Sequence, residues 1–430
     1  MRTSVRLCVA ALALFSVVHA QQVLPQPAPG DAGFAKDRLD RIRVRMEKEI
    51  AENRLSGGIG LIARRGKIAY FETYGMADKE AGKPMTKDAI FRIYSMTKAI
   101  TGVAVMMLYE EGRFSLTDPV SRYLPEFTTM KVAVEKTDPT GKRVLSHTVP
   151  AERQITILDL LRHTSGFNYE GPRDEKGELS YQRMELNGAG GANFPLSEFV
   201  KRLAQQPLVH QPGTTWDYSL SMDVLGRLVE VVSGQTLDQF YAERILKPLR
   251  MDDTAFYVPE QKWNRLVALY TLKPDGTIAR APEPMQEGAR KKPVLLMGGA
   301  GLMSTAVDYA RFVQMLVNGG ELDGVRILSP RTVELMRTDV LGNIRRASDF
   351  LPPRGYGFGL TFAVNRGPAE TASIVSKGEY FWGGAAGTSF WIDPQEKMTG
   401  VMMIQTMLDL GKGGTFKQLA YQAIVEDEKK

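Results

Sequence analysis

The positions of the apolar residues predict a buried helix in the first quarter of the chain. In residues 95–111, apolar side chains recur at three- and four-residue spacings, which places them on one helical face. The residues of this stripe are Ile100, Val103, Ala104, Met107 and Leu108. Gly112 follows and supplies the left-handed residue at which many helices end. Because the stretch is unusually apolar, we expect this helix to lie inside the protein.

The same kind of pattern predicts the other elements. Further helices are expected at residues 38–51, 155–162, 224–233, 305–317 and 416–425. Strands are expected at residues 58–64, 67–74, 357–365, 379–382, 388–393 and 398–405. Arg65-Gly66, between the first two strands, is a tight hairpin signal. Residues 129–154 predict an inserted hairpin, and residues 168–194 and 271–295 predict loops.

The order of these elements predicts an α+β fold. Strands do not alternate with helices, so a parallel doubly wound sheet is not expected. Strands from the two ends of the chain, in residues of about 31–90 and 296–430, are expected to pair in one mostly antiparallel sheet. Residues of about 91–295 are expected to form a helical region inserted between them.

The first twenty residues have the pattern of a cleavable secretory signal peptide. Arg2 and Arg6 precede an apolar run, and Ala20 ends the segment with a small residue. The run is too short for a comfortable membrane span, so an uncleaved anchor is the weaker alternative. We therefore expect residues 21–430 to act in the periplasm or outside the cell, without stable membrane insertion. Cys8 is the single cysteine and leaves with the signal, which excludes disulfides, cysteine metal sites and a cysteine nucleophile in the mature chain.

Composition and charge narrow the class of protein further. The full chain has a formal charge of +6, and removal of residues 1–20 leaves +4 from 53 basic and 49 acidic residues. With 43% hydrophobic and 24% charged residues, the composition is that of an ordinary globular protein. No basic block interleaved with aromatic residues is present, so a nucleic-acid partner is not expected. The glycine-rich stretch 297–302 lacks the strand-then-helix context of a dinucleotide site, and no metal or cofactor is predicted.

Ser95 and Lys98 are the strongest candidates for chemistry. They lie three residues apart at the start of the buried helix, so their side chains share a face with β-carbons roughly 5–6 Å apart. Desolvation of a lysine that faces a core disfavours its ammonium form, and a neutral amine can accept the proton of a serine hydroxyl. The alternative is that Ser95 merely caps the helix while Lys98 extends into solvent.

Two other residues are weighed as catalytic candidates. Tyr218 follows a turn and precedes a helix, which would deliver a phenol to a site, although an isolated tyrosine is more often a packed aromatic. His163 could suggest a serine–histidine–aspartate triad. No G-x-S-x-G elbow is present, so we interpret His163 as a loop histidine hydrogen-bonded to the backbone.

Four ordered motifs resemble those of the serine β-lactamase and penicillin-binding-protein superfamily. They are the segment 91–112, the Leu-Arg-His-Thr-Ser-Gly block at 161–166, Trp-Asp-Tyr-Ser at 216–219 and Trp-Gly-Gly at 382–384. The match is most similar to the class C β-lactamase-like esterases, the family VIII carboxylesterases, and spans essentially the whole mature chain. The resemblance implies a β-lactamase/transpeptidase-like fold, with a mostly antiparallel sheet beside an all-helical region and the site between them. It also implies an acyl-enzyme mechanism without metal or cofactor.

The resemblance also implies roles for individual residues. Ser95 matches the nucleophile, Lys98 the general base and Tyr218 the tyrosine that shuttles the proton to the leaving group. Ala385 would offer the second N–H of the oxyanion hole, beside that of Ser95 itself. Trp382, Gly383 and Gly384 fall where the superfamily has a substrate-binding Lys-Thr-Gly or His-Thr-Gly strand.

Two departures from the β-lactamase pattern narrow the expected substrate. Leu220 replaces the asparagine of the Tyr-x-Asn motif, and Trp382 replaces a cation that would pair with a substrate carboxylate. We therefore expect a serine carboxylesterase that acts on small, uncharged esters with short acyl chains. The alternatives are a β-lactamase or D-Ala-D-Ala carboxypeptidase-like peptidase, for which an amide would be the substrate, and an inactive muropeptide- or penicillin-binding module. The sequence predicts no oligomeric state.

Overall fold

The computed structural model describes residues 29–183, 193–348 and 351–426. The predicted signal peptide at residues 1–20 lies outside these ranges, as does part of the predicted loop 168–194. Within the described residues, no helix is both long and apolar enough to cross a membrane.

The helical elements of the described residues comprise α-helices, short 3-10 helices and one π-helical turn. The α-helices are α1 (Lys36–Ala51), α2 (Thr97–Glu110), α3 (Ile157–Leu161), α4 (Ser180–Arg183), α5 (Leu196–Ala204), α6 (Ser221–Ser233), α7 (Leu237–Tyr241), α8 (Glu283–Glu287), α9 (Ala306–Val317), α10 (Pro330–Met336), α11 (Pro368–Thr371) and α12 (Gly411–Tyr421). The 3-10 helices lie at Pro29–Ala32, Tyr94–Met96, Val120–Arg122, Pro125–Phe127, Glu260–Arg265 and Gly288–Arg290, and the π-helical turn lies at Ala242–Leu246.

The strands are β1 (Gly57–Arg64), β2 (Lys67–Asp78), β3 (Lys83–Pro84), β4 (Ile90–Arg92), β5 (Lys131–Thr137), β6 (Arg143–Pro150), β7 (Thr215–Trp216), β8 (Tyr270–Leu272), β9 (Ile278–Arg280), β10 (Met303–Thr305), β11 (Glu321–Leu322), β12 (Val325–Arg326), β13 (Arg345–Arg346), β14 (Tyr356–Phe358), β15 (Ala363–Asn365), β16 (Tyr380–Gly383), β17 (Ser389–Asp393), β18 (Met398–Ile404) and β19 (Thr406–Met407).

One large antiparallel sheet joins the two ends of the described chain. Its strand order is β14-β15-β16-β17-β18-β1-β2-β3, and each neighbouring pair is antiparallel. The join is the ladder between β1 and β18, which runs from Gly58↔Ile404 to Arg64↔Met398. The predicted fold class, a mostly antiparallel sheet built from both chain ends, is confirmed.

The first hairpin of the sheet forms where its turn residues predicted it. Arg65 and Gly66 connect β1 to β2 and have φ angles of 54° and 75°. Positive φ angles at both central residues define the two-residue turn whose twist matches that of a hairpin. Glycine adopts this conformation without steric cost.

Helices cover both faces of the sheet. On one face, α1 and α12 enclose a core with the aromatic side chains of Trp391 and Phe416. On the other face, α9 packs against β1, β17 and β18, and the large core behind it continues into the helical region. The candidate site lies where this second face meets the helical region, because α2 begins there and β16 ends there.

Helix α2 is the buried helix that the apolar pattern predicted. All its residues from Thr97 to Leu108 are buried, and it packs along α6. Gly112, just beyond its end, has a φ of 69°, which is the left-handed conformation expected of a terminating residue. Because the helix is enclosed, its first turn can hold polar side chains out of contact with bulk water.

Four predictions of secondary structure differ from the structure, and the first is the predicted loop 168–194, which contains α4. Residues 357–365 form two strands, β14 and β15, because Thr361 between them adopts a φ of 79° and turns the chain. The predicted loop at 271–295 contains β9 and α8, and it begins inside β8. The last helix begins at Gly411 and ends at Tyr421, instead of spanning 416–425, because the glycines of its first turn conceal the helical pattern.

Candidate active site

Ser95 and Lys98 meet at the start of α2. Ser95 lies in the 3-10 turn Tyr94–Met96, which leads directly into the helix, and Lys98 lies in the first turn of α2. The Lys98 Nζ atom donates to Ser95 Oγ at 3.1 Å. Lys98 is only 1% exposed, so the alternative in which its amine extends into solvent is wrong.

The amine of Lys98 is fixed by two further hydrogen bonds. Nζ donates to the carbonyl oxygen of Gly299 at 2.6 Å and to the hydroxyl of Tyr169 at 2.8 Å. Because the buried amine has three hydrogen-bond partners, its orientation is fixed. One of the three directions points at the Ser95 hydroxyl. The geometry therefore suits transfer of a proton between Ser95 and Lys98.

Tyr169 is a site residue that the sequence analysis missed. Besides Lys98, its hydroxyl interacts with the hydroxyls of Ser95 and Tyr218. Burial, followed by the neighbouring Tyr218 and Asp223, raises the pKa of Tyr169 well above its ordinary value, so the phenol keeps its proton. Tyr169 belongs to the predicted loop 168–194, where no motif or spacing connects it with Ser95.

Tyr218 reaches the site as predicted, but its ring rather than its hydroxyl faces Lys98. The Lys98 Nζ atom lies 4.8 Å from the centre of the Tyr218 ring, and the rings of Tyr218 and Tyr169 are 5.2 Å apart. The Tyr218 hydroxyl accepts a hydrogen bond of 3.1 Å from the indole Nε1 of Trp382. Tyr218 is therefore joined to Lys98 through a cation–π contact and through Tyr169.

Trp382 packs against Tyr218 and is only 3% exposed. Its ring contacts Tyr218 at 5.2 Å and Phe358 at 5.5 Å, and its N–H is directed at the Tyr218 hydroxyl. In this arrangement Trp382 orients the phenol. The predicted role of Trp382, Gly383 and Gly384 in binding substrate stays a prediction.

A tight turn after β16 presents the backbone of Ala385. Gly384 N–H donates to the Thr388 carbonyl at 2.7 Å, and Gly387 N–H donates to the Gly384 carbonyl at 2.9 Å. A β-carbon at Gly384 would lie 2.4 Å from the carbonyl oxygen of Ile93, so only glycine lets the turn lie against the chain just before Ser95.

The N–H of Ala385 has no hydrogen-bond partner among the described residues, whereas its carbonyl accepts from Leu408 N–H at 2.7 Å. A free N–H on a turn fixed from both sides, beside the segment that carries Ser95, is what an oxyanion hole needs. The assignment of Ser95 and Ala385 to that hole stays a prediction.

Asp223 holds the residue whose carbonyl binds the Lys98 amine. Its Oδ1 accepts from the N–H of Gly299 at 2.9 Å, and the carbonyl of the same residue accepts from Lys98. Burial raises the pKa of Asp223 to about 6, and the nearby charge of Lys98 opposes that shift. Asp223 is the second residue that the sequence analysis missed, since it looks like one more polar position of α6.

His163 takes no part in a catalytic triad. Its Nδ1 hydrogen-bonds with Ser219 Oγ at 3.0 Å, a side-chain partner rather than the predicted backbone one, and its Nε2 has no partner among the described residues. The ring packs 5.0 Å from that of Tyr218. Burial, followed by the charge of Lys98, holds the pKa of His163 well below its ordinary value, so the ring is neutral.

The described ranges contain no group of three His, Asp or Glu side chains that could hold a metal ion. The described polar side chains that interact with the Ser95 hydroxyl are the Lys98 amine and the Tyr169 phenol.

Comparisons with known proteins place the chain in a family. A profile of the Beta-lactamase family matches residues 41–420. Protein Rv1367c of Mycobacterium tuberculosis is 38% identical over 362 residues, which is 83% of this chain and 87% of the relative. Esterase EstB of Burkholderia gladioli is 33% identical over 382 residues, which is 84% of this chain and 88% of the relative.

A solved structure agrees with these relatives. EstCE1, described as a hydrolase with promiscuous acyltransferase activity, has 29% identity and a TM-score of 0.75, covering 91% of this chain and 99% of that chain. A large antiparallel sheet beside a helical region, together with these relatives, defines a serine hydrolase. The chain belongs to the Beta-lactamase family, and the resemblance to its esterase-like members is confirmed.

Proposed function

We propose that this serine hydrolase cleaves carboxylic esters with short acyl chains, and that Ser95 carries the acyl group between two half-reactions. The observation that carries the proposal is the 3.1 Å distance between the buried Lys98 Nζ and Ser95 Oγ. In its neutral form the amine uses its two hydrogens on Gly299 and Tyr169, so its lone pair is left to accept the hydroxyl proton. A serine hydroxyl alone is a weak nucleophile, and a fixed amine in a water-poor site is a suitable base for it.

In the first half-reaction, Ser95 Oγ attacks the ester carbonyl carbon while its proton passes to Lys98 Nζ. The carbonyl oxygen becomes an oxyanion, which accepts hydrogen bonds from the N–H groups of Ser95 and Ala385. Two fixed donors of this kind contribute on the order of 10²–10³ each to the rate. When the intermediate collapses, the bond to the alcohol oxygen breaks, and that oxygen receives the proton now held by Lys98.

Two phenols support delivery of that proton. Tyr169 hydrogen-bonds with Lys98 and interacts with Tyr218, so a proton can pass from the amine to the Tyr218 hydroxyl through one intermediate group. Because Tyr169 stays protonated, it acts as a donor and relay and not as a free base. In the second half-reaction, water attacks the acyl carbon, gives up a proton along the same route and releases the acid, while Ser95 regains its proton.

The chemistry around the nucleophile favours uncharged esters. At position 382 the superfamily places a cation that binds a substrate carboxylate. This chain has the buried Trp382 there, and its indole N–H donates to the Tyr218 hydroxyl. Binding of a carboxylate-bearing β-lactam or peptide stem would lack that partner. The names of the relatives Esterase EstB and EstCE1 are consistent with an esterase.

A panel of substrates tests the proposal. Short-chain nitrophenyl esters, simple amides and a chromogenic cephalosporin are assayed side by side with residues 21–430. We expect the esters to be cleaved fastest, and Ser95→Ala to lower kcat by about 10³ or more. Ser56→Ala is the control, because the Ser56 hydroxyl is buried without a partner among the described residues. Equal ester turnover by wild type and Ser95→Ala would reject the nucleophile.

The same panel separates the alternatives. Cephalosporin or D-Ala-D-Ala peptide turnover well above that of any ester would assign a β-lactamase or peptidase. Failure of both a fluorophosphonate and a penicillin probe to label Ser95 would favour the inactive binding module.

We also propose that the protein acts in the periplasm or is secreted, on the basis of Arg2, Arg6 and the apolar run that follows them. Mass spectrometry of the protein from its native host tests this, and a mature N-terminus at residue 21 is expected. An intact N-terminus on a protein retained in the cytoplasm would reject export.

A further inference from the structure

Three exposed leucines lie beside the turn that presents Ala385. Leu408 is 72% exposed, and Leu410 and Leu272 are each 43% exposed. Single exposed leucines are common on soluble proteins and need no explanation. A group of them next to a functional turn is different, because clustered apolar surface marks binding sites.

The backbone connects these leucines directly with the candidate oxyanion hole. Leu408 N–H donates to the carbonyl of Ala385 at 2.7 Å, and Thr406 N–H donates to the carbonyl of Ala386 at 2.9 Å. Leu408 is therefore one hydrogen bond away from the residue whose N–H would hold the substrate carbonyl.

Leu272 reaches the same place from another part of the chain. Strands β8 and β19 pair in parallel through Tyr270↔Thr406 and Thr271↔Met407. The residue that follows these pairs is Leu272 on β8 and, directly after the end of β19, Leu408. Leu410 follows two residues later, just before α12 begins.

Leu408 holds this position at a conformational cost. Its φ is 63°, in the left-handed region, which leucine rarely adopts because its β-carbon then crowds the backbone. Glycine or asparagine would relieve that strain. A strained and exposed apolar residue beside a reaction site is explained when its side chain serves the reaction rather than the fold.

The surroundings of Leu408 and Leu410 suit hydrocarbon rather than a charged group. The nearest cations in the sequence are the exposed Lys273, directly after Leu272, and Lys412, which is bound by Asp409 and also lies 3.7 Å from Glu49. Beneath the turn, Met407 and Tyr94 pack against the buried Ala386. At Leu408 and Leu410 an incoming substrate therefore meets apolar side chains and a neutralised ion pair, and the exposed Lys273 lies only at the Leu272 end.

We propose that Leu408, Leu410 and Leu272 form a leucine lip that binds the hydrocarbon portion of the ester whose carbonyl is held at Ala385. The inference rests on the proposed function, since it assigns a substrate class to the same site. The lip selects esters by the apolar area that they cover, so their reactivity rises with chain length up to the extent of the lip.

Leu408→Asn tests the lip without disturbing the fold. Asparagine has nearly the shape of leucine and tolerates the left-handed conformation, so the variant is expected to be at least as stable as wild type. The matched control is Val44→Asn, because Val44 is 67% exposed and lies on α1, which covers the opposite face of the sheet. Leu408→Met keeps the apolar surface and serves as the conservative variant.

Two substrate series identify the hydrocarbon. One varies the acyl group of a nitrophenyl ester from acetyl to hexanoyl, and the other varies the alcohol of an acetate ester from methyl to hexyl. In wild type we expect kcat/KM to rise about tenfold along one series, mainly through KM, and to rise less than about threefold in Leu408→Asn. Val44→Asn and Leu408→Met should keep the wild-type slope.

The series that Leu408→Asn flattens shows whether the acyl group or the alcohol lies on the lip, and either result supports it. Unchanged slopes in both series would overturn the lip while leaving the esterase intact. If wild type cleaves no ester, the proposed function fails, and the lip is then tested by rates of Ser95 labelling with methyl and octyl fluorophosphonates. Preference for the octyl probe in wild type, lost in Leu408→Asn, supports the lip; equal rates or no labelling overturn it.

Discussion

The amine of Lys98 and the hydroxyl of Tyr169 lie 2.8 Å apart, although 71 residues separate them in the chain. Because Tyr169 interacts with both Lys98 and Tyr218, its hydroxyl connects the Ser95–Lys98 pair with the second phenol. This arrangement differs from a simpler one in which the Tyr218 hydroxyl would hydrogen-bond with the Lys98 amine directly. In the proposed mechanism, the proton that leaves Ser95 passes along a route that contains both phenols, and each phenol can be tested by itself.

We predict that Tyr169→Phe lowers kcat by about 10–10² while KM changes little, because a hydrogen bond to the base is lost where the proton moves. Thermal stability should change only slightly, since the ring is kept. Steady-state kinetics on a short-chain ester measures the effect. A wild-type kcat in Tyr169→Phe would exclude this phenol from the proton route.

The control for Tyr169→Phe is Tyr181→Phe. Tyr181 is also fully buried, and its hydroxyl has no hydrogen-bond partner among the described residues. Removing a buried hydroxyl without a partner is expected to leave activity unchanged and stability unchanged or raised. A loss of activity in both variants would point to general loosening of the helical region.

A second prediction concerns the indole that orients Tyr218. Trp382→Phe removes the N–H that donates to the Tyr218 hydroxyl at 3.1 Å and should lower kcat/KM by about tenfold, the value of one net hydrogen bond. Trp391→Phe is the comparison, because that indole N–H is buried, without a partner among the described residues, on the far face of the sheet. Both variants should lose stability through poorer packing, which thermal unfolding measures. If they lose activity equally, the contact with Tyr218 has no part in catalysis.

The parts of this site that sequence could predict are those set by local spacing. Ser95 and Lys98 lie three residues apart on a helix, so their proximity follows from helical geometry alone. The hairpin at Arg65-Gly66 follows in the same way from the two residues of its turn. In each case neighbouring residues determine the structure, and the pattern is visible in a short stretch of chain.

The remaining site residues could not be predicted because their contacts are long-range. Gly299 accepts from Lys98 across 201 residues, and Asp223 accepts from Gly299 across 76 residues. No period or motif in the chain encodes these pairs. They exist because the helical region folds back on the sheet and because Gly298 and Gly299 leave no side chain between α6 and Lys98.

A third prediction follows from the buried carboxyl of Asp223. Burial raises its pKa to about 6 from the 3.8 of an ordinary aspartate, so the folded protein binds a proton there more tightly than the unfolded chain does. Its contribution to stability is fully present below about pH 4 and is lost as the pH rises through about 6. The loss is on the order of 3 kcal/mol.

Asp223→Asn cannot titrate and should remove this dependence. Relative to wild type, the variant should gain stability as the pH is raised from about 4 to about 7, by an amount on the order of that loss. Urea unfolding at the two pH values measures the change. An equal difference between variant and wild type at both pH values would contradict a shifted Asp223.

The fourth prediction tests whether the turn at residues 384–387 must lie against the segment before Ser95. In Gly384→Ala, the new β-carbon would lie 2.3 Å from Thr388 Oγ1 and 2.4 Å from the Ile93 carbonyl oxygen, so the turn has to move away. Because Ala385 moves with it, kcat should fall by about 10²-fold, as for loss of one oxyanion donor. Gly414→Ala is the control, since a β-carbon at that position of α12 meets nothing within 4 Å and should stabilise the helix by about 0.5–1 kcal/mol. Ester kinetics and thermal unfolding of both variants make the comparison, and a Gly384→Ala enzyme with wild-type kcat would remove Ala385 from the oxyanion hole.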